Sequence, residues 1–296
     1  MSFPQQINAA LGASLDHVIQ DGKMHRFSTN GRDNDTSGWY VHPDNNVVIA
    51  GCWRSGQTIT LWVDGSSKDD PDALAAIQRA RDAYRRERAQ AAKSAADKSG
   101  DLLRYSRPID ANHPYIARKR INTMRLPAPL RARSIKSSIV LDMVTQFGDL
   151  VGLQFISTDG DKKFLTGTQK AGACHWLMDV APPAIGDVIG VVEGWATGCA
   201  VAHYSGLNYI AVAMDAGNIE RVVMALSVVY PHNEIIIYAD DDAPSRTTGR
   251  RAGMAGANAA KRINPDMVSI QYPAWGANKP DWATDFCDLY QLSLDV

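Results

Sequence analysis

From Asp187 to the end of the chain, short apolar runs alternate with longer amphipathic ones, and this alternation constrains the fold more than any other feature. Val188–Val192, Tyr209–Met214, Glu234–Tyr238 and Met267–Tyr272 are strand-like runs. Gly194–Tyr204, Asn218–Tyr230 and Arg246–Ile263 have the period of helices, and Ala283–Leu289 is a candidate last helix. Strands separated by helices of about ten or more residues join in parallel, through crossovers of one hand. An α/β fold with a parallel sheet is therefore predicted for residues 187–296. Ligands of such sheets gather at the carboxyl ends of the strands, so the residues just after each run carry the functional information.

The first part of the chain has a different character. Residues 1–20 predict a short amphipathic helix. Residues 25–63 contain Asn30-Gly31, Ser37-Gly38 and Ser55-Gly56 turns between runs rich in Trp, Tyr, Val and Ile, which predicts about four antiparallel strands. Trp39, Tyr40, Trp53 and Trp62 either form the core of that small sheet or stack on bases. Residues 69–98 predict a long charged helix with Pro71 in its first turn and an end at Ser99-Gly100. Residues 101–186 predict a basic α+β segment, with strands at Ile139–Val144, Leu150–Ile156 and Lys163–Leu165. The expected organisation is a small β-rich domain (1–68), a helical connector (69–100), the basic α+β segment (101–186) and the parallel-sheet domain (187–296).

Several classes are excluded. With 45% hydrophobic and 21% charged residues over 296 positions, the chain can bury a core and is not a disordered polymer. Its apolar runs fall far short of the roughly 20 residues a bilayer requires, and no secretion signal opens it, so a cytoplasmic protein without membrane contact is expected. Cys52, Cys174, Cys199 and Cys287 are far apart, which argues against a zinc ribbon or a disulfide framework. The net charge of −1 conceals an asymmetry: Arg79 to Lys136 holds sixteen Lys/Arg against five Asp/Glu, while Asp187 to Asp242 holds one Arg against eight acids. A surface for a polyanion and a separate site for divalent cations is one reading; two solvated faces is the other.

The acids stand at strand ends. Glu193 follows Val188–Val192, Asp240-Asp241-Asp242 follows Glu234–Tyr238, and Asp285 and Asp288 lie beyond the fourth run. In extended backbone Asp240 and Asp242 face one way and Asp241 the other. If the first and third strands are neighbours, Glu193 joins the pair. Carboxylates gathered in one place repel unless a cation neutralises them, and a hard oxygen donor set without histidine favours Mg²⁺ or Mn²⁺. Such a site suits phosphoryl transfer.

Val191-Val192-Glu193-Gly194 and Tyr238-Ala239-Asp240-Asp241-Asp242 resemble the two motifs of the Toprim domain. Ala213-Met214-Asp215-Ala216-Gly217-Asn218-Ile219 and Thr284-Asp285-Phe286-Cys287-Asp288-Leu289 look more narrowly like the Toprim primases of phages, plasmids and integrative elements, with Cys287 where those usually have Asn. His113–Lys119 and Gly152–Leu165 resemble the amino-terminal half of the DnaG-type core. The resemblance implies a DNA primase that makes short RNA primers on single-stranded DNA from ribonucleoside triphosphates. It implies an acid–base role for Glu193, with Glu193, Asp240, Asp242 and Asp285 as ligands of Mg²⁺ or Mn²⁺; residues 25–63 stand where such enzymes carry a zinc-binding module but lack its ligands, so no zinc is expected. Arg118, Lys119, Arg120, Lys162, Lys163, Arg246, Arg250 and Arg251 are the expected template or nucleotide contacts. No nucleoside-triphosphatase loop is found, so a helicase partner would be a separate protein or a further part of a longer one. A Toprim nuclease and a non-catalytic DNA-binding accessory are the rival readings.

Overall fold

The computed structural model describes residues 1–32, 35–52, 55, 57–62, 71–242, 252–275 and 279–294. It is a mixed α/β protein with three sheets among the described residues, divided into two compact units, Met1–Gln90 and Ala91–Val296.

The first unit opens with α1 (Phe3–Leu11), followed by β1 (Met24–Phe27), β2 (Gly38–Asp44), β3 (Val47–Cys52) and β4 (Thr58–Trp62). The strands form one antiparallel sheet in chain order. β3 is buried along its whole length because both of its faces are covered. Val48 and Ala50 pack with Ile7, Leu11 and Phe27, while Val47 and Ile49 pack with Ile77 of the long helix. Tyr40 belongs to the first cluster, and Trp39 and Trp62 pack on the second. These three aromatics therefore build the core, while Trp53 lies outside the described residues.

The helix α2 (Pro71–Arg104) begins in the first unit and continues into the second. Ser99-Gly100 does not end it. The Ser99 hydroxyl is fully buried and donates to the Ala95 carbonyl at 2.7 Å, so the side chain is satisfied inside the helix and has no reason to break it.

In the second unit, β5 (Arg107–Pro108) and α3 (Pro114–Arg118) lead to β6 (Arg133–Ile135), β7 (Ser138–Val144), β8 (Leu150–Ile156) and β9 (Lys162–Phe164). These five strands make an antiparallel sheet in chain order, with β9 at one edge. The remaining elements are β10 (His175–Trp176), β11 (Ile189–Val192), α4 (Trp195–Ser205), β12 (Ile210–Val212), α5 (Ala216–Val229), β13 (Ile235–Tyr238), α6 (Ala252–Lys261), β14 (Val268–Gln271) and α7 (Phe286–Leu294). Their sheet runs in the order β10-β12-β11-β13-β14, with β11 to β14 parallel and β10 antiparallel at the edge. Every residue of β11 is buried, as a strand covered on both faces requires. The chain leaves β11 toward β12 on one side and returns to β13 on the other. The strand order thus reverses between β11 and β13, the place where open α/β sheets form their crevice. No helix among the described residues is long and apolar enough to cross a membrane.

Two glycines on helices have opposite reasons to be there. A Cβ at Gly256 on α6 would lie 2.6 Å from the Ala216 carbonyl oxygen, so the helices approach too closely for alanine. A Cβ at Gly100 on α2 would meet nothing within 4 Å. Alanine improves helix propensity by about 1 kcal/mol at either site, but overpacking against rigid backbone costs about 1–3 kcal/mol. Gly100→Ala is expected to raise the urea midpoint and Gly256→Ala to lower it.

Candidate active site

β11 and β13 lie side by side with Val192 opposite Tyr238, so both strands end at one level. Glu193 is the next residue after β11, and Asp240 and Asp242 follow β13. The parallel pairing inferred as a condition for their meeting is present. Gly194 starts α4 in extended conformation, and a Cβ there would lie 3.7 Å from the Lys162 Nζ, which places that ammonium beside Glu193.

Asp240 is the most perturbed of the carboxylates. Burial, followed by the charges of Asp285, Glu193, Asp242 and Asp288, pushes its carboxyl up to about 8. Its Oδ1 is buried without a hydrogen-bond partner in the protein. Glu193 is raised by burial and then by Asp242 and Asp215, with Lys162 acting the other way. Asp242 accepts a long bond from the Gly253 N–H at 3.4 Å. Asp241 points elsewhere: its carboxylate accepts from Lys279 Nζ at 2.6 Å and from Trp275 Nε1 at 3.1 Å.

The last two acids cap α7. Asp285 Oδ1 accepts from the Asp288 N–H at 2.9 Å and its Oδ2 from the Thr197 hydroxyl at 3.0 Å. Asp288 in turn accepts from the Thr284 N–H at 3.0 Å, a reciprocal arrangement at the helix start. Asp285 is nevertheless raised, by burial and then by Asp288, and its charge raises Asp240 more than those of Glu193, Asp242 and Asp288 do. Cys287, at the variant position of the motif, is buried with its Sγ 3.7 Å from the Lys119 carbonyl oxygen.

Of the expected basic contacts, Lys162 and Lys119 reach the acids, the latter 3.5 Å from Asp288. Arg118 instead donates to the Thr158 carbonyl at 3.0 Å and lies over the Tyr115 ring. Arg120 and Lys163 are exposed. Arg246, Arg250 and Arg251 lie outside the described residues. His113 caps α3 by accepting from the Tyr115 N–H, and His175 is buried against Asp142, both away from the acids. The spacing of acids missed Lys170, which forms an ion pair with Asp215. Asp215 follows β12 as Glu193 follows β11, so the strand-end rule already pointed to it.

Among the described residues, no three His, Cys, Asp or Glu side chains stand close enough to enclose a metal ion as they are. The oxygen donors still fit a hard divalent cation. Asp240 has an unpartnered buried oxygen, and its ionised form is penalised by four neighbouring carboxylates, a penalty that positive charge relieves.

No protein-family model matches the chain. Two Escherichia coli proteins, each named DNA primase TraC, are 29% identical to it. One aligns over 260 residues, covering 84% of this chain and 17% of the relative. The other aligns over 263 residues, covering 81% and 24%. Over most of its length the chain resembles these two DNA primases. It spans less than a quarter of the length of these curated relatives. The primase fragment of the bacteriophage T7 primase-helicase has a TM-score of 0.39 at 19% identity, over 55% of this chain and 62% of that one.

Proposed function

We propose that this chain is the catalytic segment of a DNA primase, which joins ribonucleoside triphosphates into short RNA primers on a single-stranded DNA template. The observation that carries the reading is Asp240: a buried, partnerless carboxyl oxygen among acids from three separate strand or helix ends, at the point where the strand order reverses. The similarity to two named primases over most of this chain supports it. On this reading residues 187–296 form a Toprim-like domain, residues 101–186 the basic half of the core, and residues 1–68 a small zinc-free domain.

Glu193, Asp240 and Asp242 would hold Mg²⁺ or Mn²⁺, with Asp285 behind them. A bound divalent cation neutralises triphosphate charge and acidifies the attacking ribose hydroxyl. Glu193, kept basic by burial and by Asp242, takes up the hydroxyl proton on its carboxylate. Lys162 balances the charge beside Glu193 and, with Lys119, Arg118, Arg120 and Lys163, offers cations to the triphosphate and template backbone. Arg246, Arg250 and Arg251 are proposed for the same task. A replicative helicase is the proposed partner.

The test is incubation of the chain with single-stranded DNA, labelled ribonucleotides and Mn²⁺. Short labelled RNA that requires both template and metal is expected. DNA fragments without incorporation would make it a nuclease, and template binding without either product would make it an accessory.

A further inference from the structure

The turn after β13 holds three consecutive acids, yet only two of them face the site. Asp241 is gripped from outside. Lys279 Nζ donates to its carboxylate at 2.6 Å and to its backbone carbonyl at 3.1 Å. Trp275 Nε1 donates to the same carboxylate oxygen at 3.1 Å. The Lys279 ammonium also lies 4.9 Å from the centre of the Trp275 ring, so the two donors hold each other. On the inner side, the Asp241 N–H donates to the Thr284 carbonyl at 2.7 Å, one residue before Asp285.

We propose that Lys279, with Trp275, is a positioning residue for the acidic turn: it fixes Asp241 outward and so sets Asp240 and Asp242 toward a divalent cation. This rests on the primase reading of the site but concerns its geometry alone. A lysine this close to a cation site has two opposed effects. As a charge it repels the cation, and as a clamp it aims the ligands. Groups that orient metal ligands from behind typically account for about 10–100-fold in metal affinity. An exposed, screened charge changes affinity far less, and here in the other direction. Lys279 is only partly exposed, and it bonds a backbone oxygen as well as a carboxylate, which favours the clamp.

Mn²⁺ binding to the protein without DNA or nucleotide, followed by the electron paramagnetic resonance signal of free Mn²⁺, separates the two. Lys279→Met is expected to weaken Mn²⁺ binding on the order of tenfold, with the circular dichroism spectrum unchanged. Lys279→Arg, which keeps a cationic donor for Asp241 in a different geometry, is expected to restore it in part. Trp275→Phe keeps a ring under Lys279 but removes one donor, and an intermediate loss is expected. Equal or tighter binding by Lys279→Met and Trp275→Phe overturns the positioning role while the site reading stands. A wild-type chain that binds no Mn²⁺ overturns the site reading, and the positioning role with it.

Discussion

Glu193→Gln, Asp240→Asn and Asp242→Asn are each expected to abolish the proposed primer synthesis, by roughly 10²–10⁴-fold for Glu193, while leaving template binding near wild type. The side chains keep their size, so packing is preserved and only charge is removed. Glu193→Gln cannot take up a proton. Asp240→Asn and Asp242→Asn lose ionised oxygen at the places where a cation would sit. The stability of the Asp240 variant decides whether this is chemistry or misfolding. Asp240 is destabilised as an anion by burial and by Asp285, Glu193, Asp242 and Asp288. In metal-free buffer at neutral pH a carboxyl raised to about 8 must take up a proton to enter the fold, a cost an amide does not carry, so Asp240→Asn should unfold at a higher urea concentration than wild type. Loss of activity with a gain in stability is the pattern of a residue retained for function against the interest of the fold. The checks are a primer assay on the variants beside a urea titration with chelator present. Full primer yield from Asp240→Asn would remove this residue from the chemistry.

Most of the second unit was legible because its elements are long and periodic. All four runs after Asp187 are strands, and the carboxylates were visible because each follows a run at a fixed end of the sheet. The four strands of the first unit were legible from their turns, since glycine and asparagine mark reversals with little dependence on tertiary context. The end of α2 was not, because Ser99 and Gly100 discourage a helix only when nothing buries it. Among the lysines at the site, Lys119 and Lys162 were expected as basic contacts, whereas Lys170, Lys279 and the acid partner of each of the four were hidden for another reason. Lys119, Lys162, Lys170 and Lys279 meet Asp288, Glu193, Asp215 and Asp241 across distant positions in the chain, and a lysine in sequence has no address. Asp285 carries contacts that its motif position did not show: its Oδ1 accepts from the Asp288 N–H at the start of α7 and its Oδ2 from the Thr197 hydroxyl of α4.

The same blindness covers a buried cluster of Asp142, His175 and Arg131 in the second unit. Asp142 lies in β7 of the antiparallel sheet and His175 in β10 of the other sheet, and their side chains meet at 2.8 Å. Arg131 Nε donates to the second Asp142 oxygen at 2.7 Å, and Val144 pairs with Cys174 beside them. The two sheets are thus joined through a carboxylate that is 7% exposed. Burial raises the Asp142 carboxyl, but His175 and then Arg131 outweigh it and hold the value at about 2. Removing one partner of a buried pair costs about 3–5 kcal/mol, because the others stay buried without it. For a unit of this size that is a fall in melting temperature of roughly 10 °C for Asp142→Asn. The pH dependence has a definite sign. A carboxyl below its unfolded value of 3.8 stabilises the fold above that pH, and the contribution is lost as pH falls toward 2. The gap between wild type and Asp142→Asn should therefore narrow by about 1 kcal/mol between about pH 5 and pH 3, as read by urea unfolding. A variant as stable as wild type at about pH 7 would show that this carboxylate does not hold the two sheets together, and a gap that widens with acid would show that its carboxyl is not held below 3.8 in the fold.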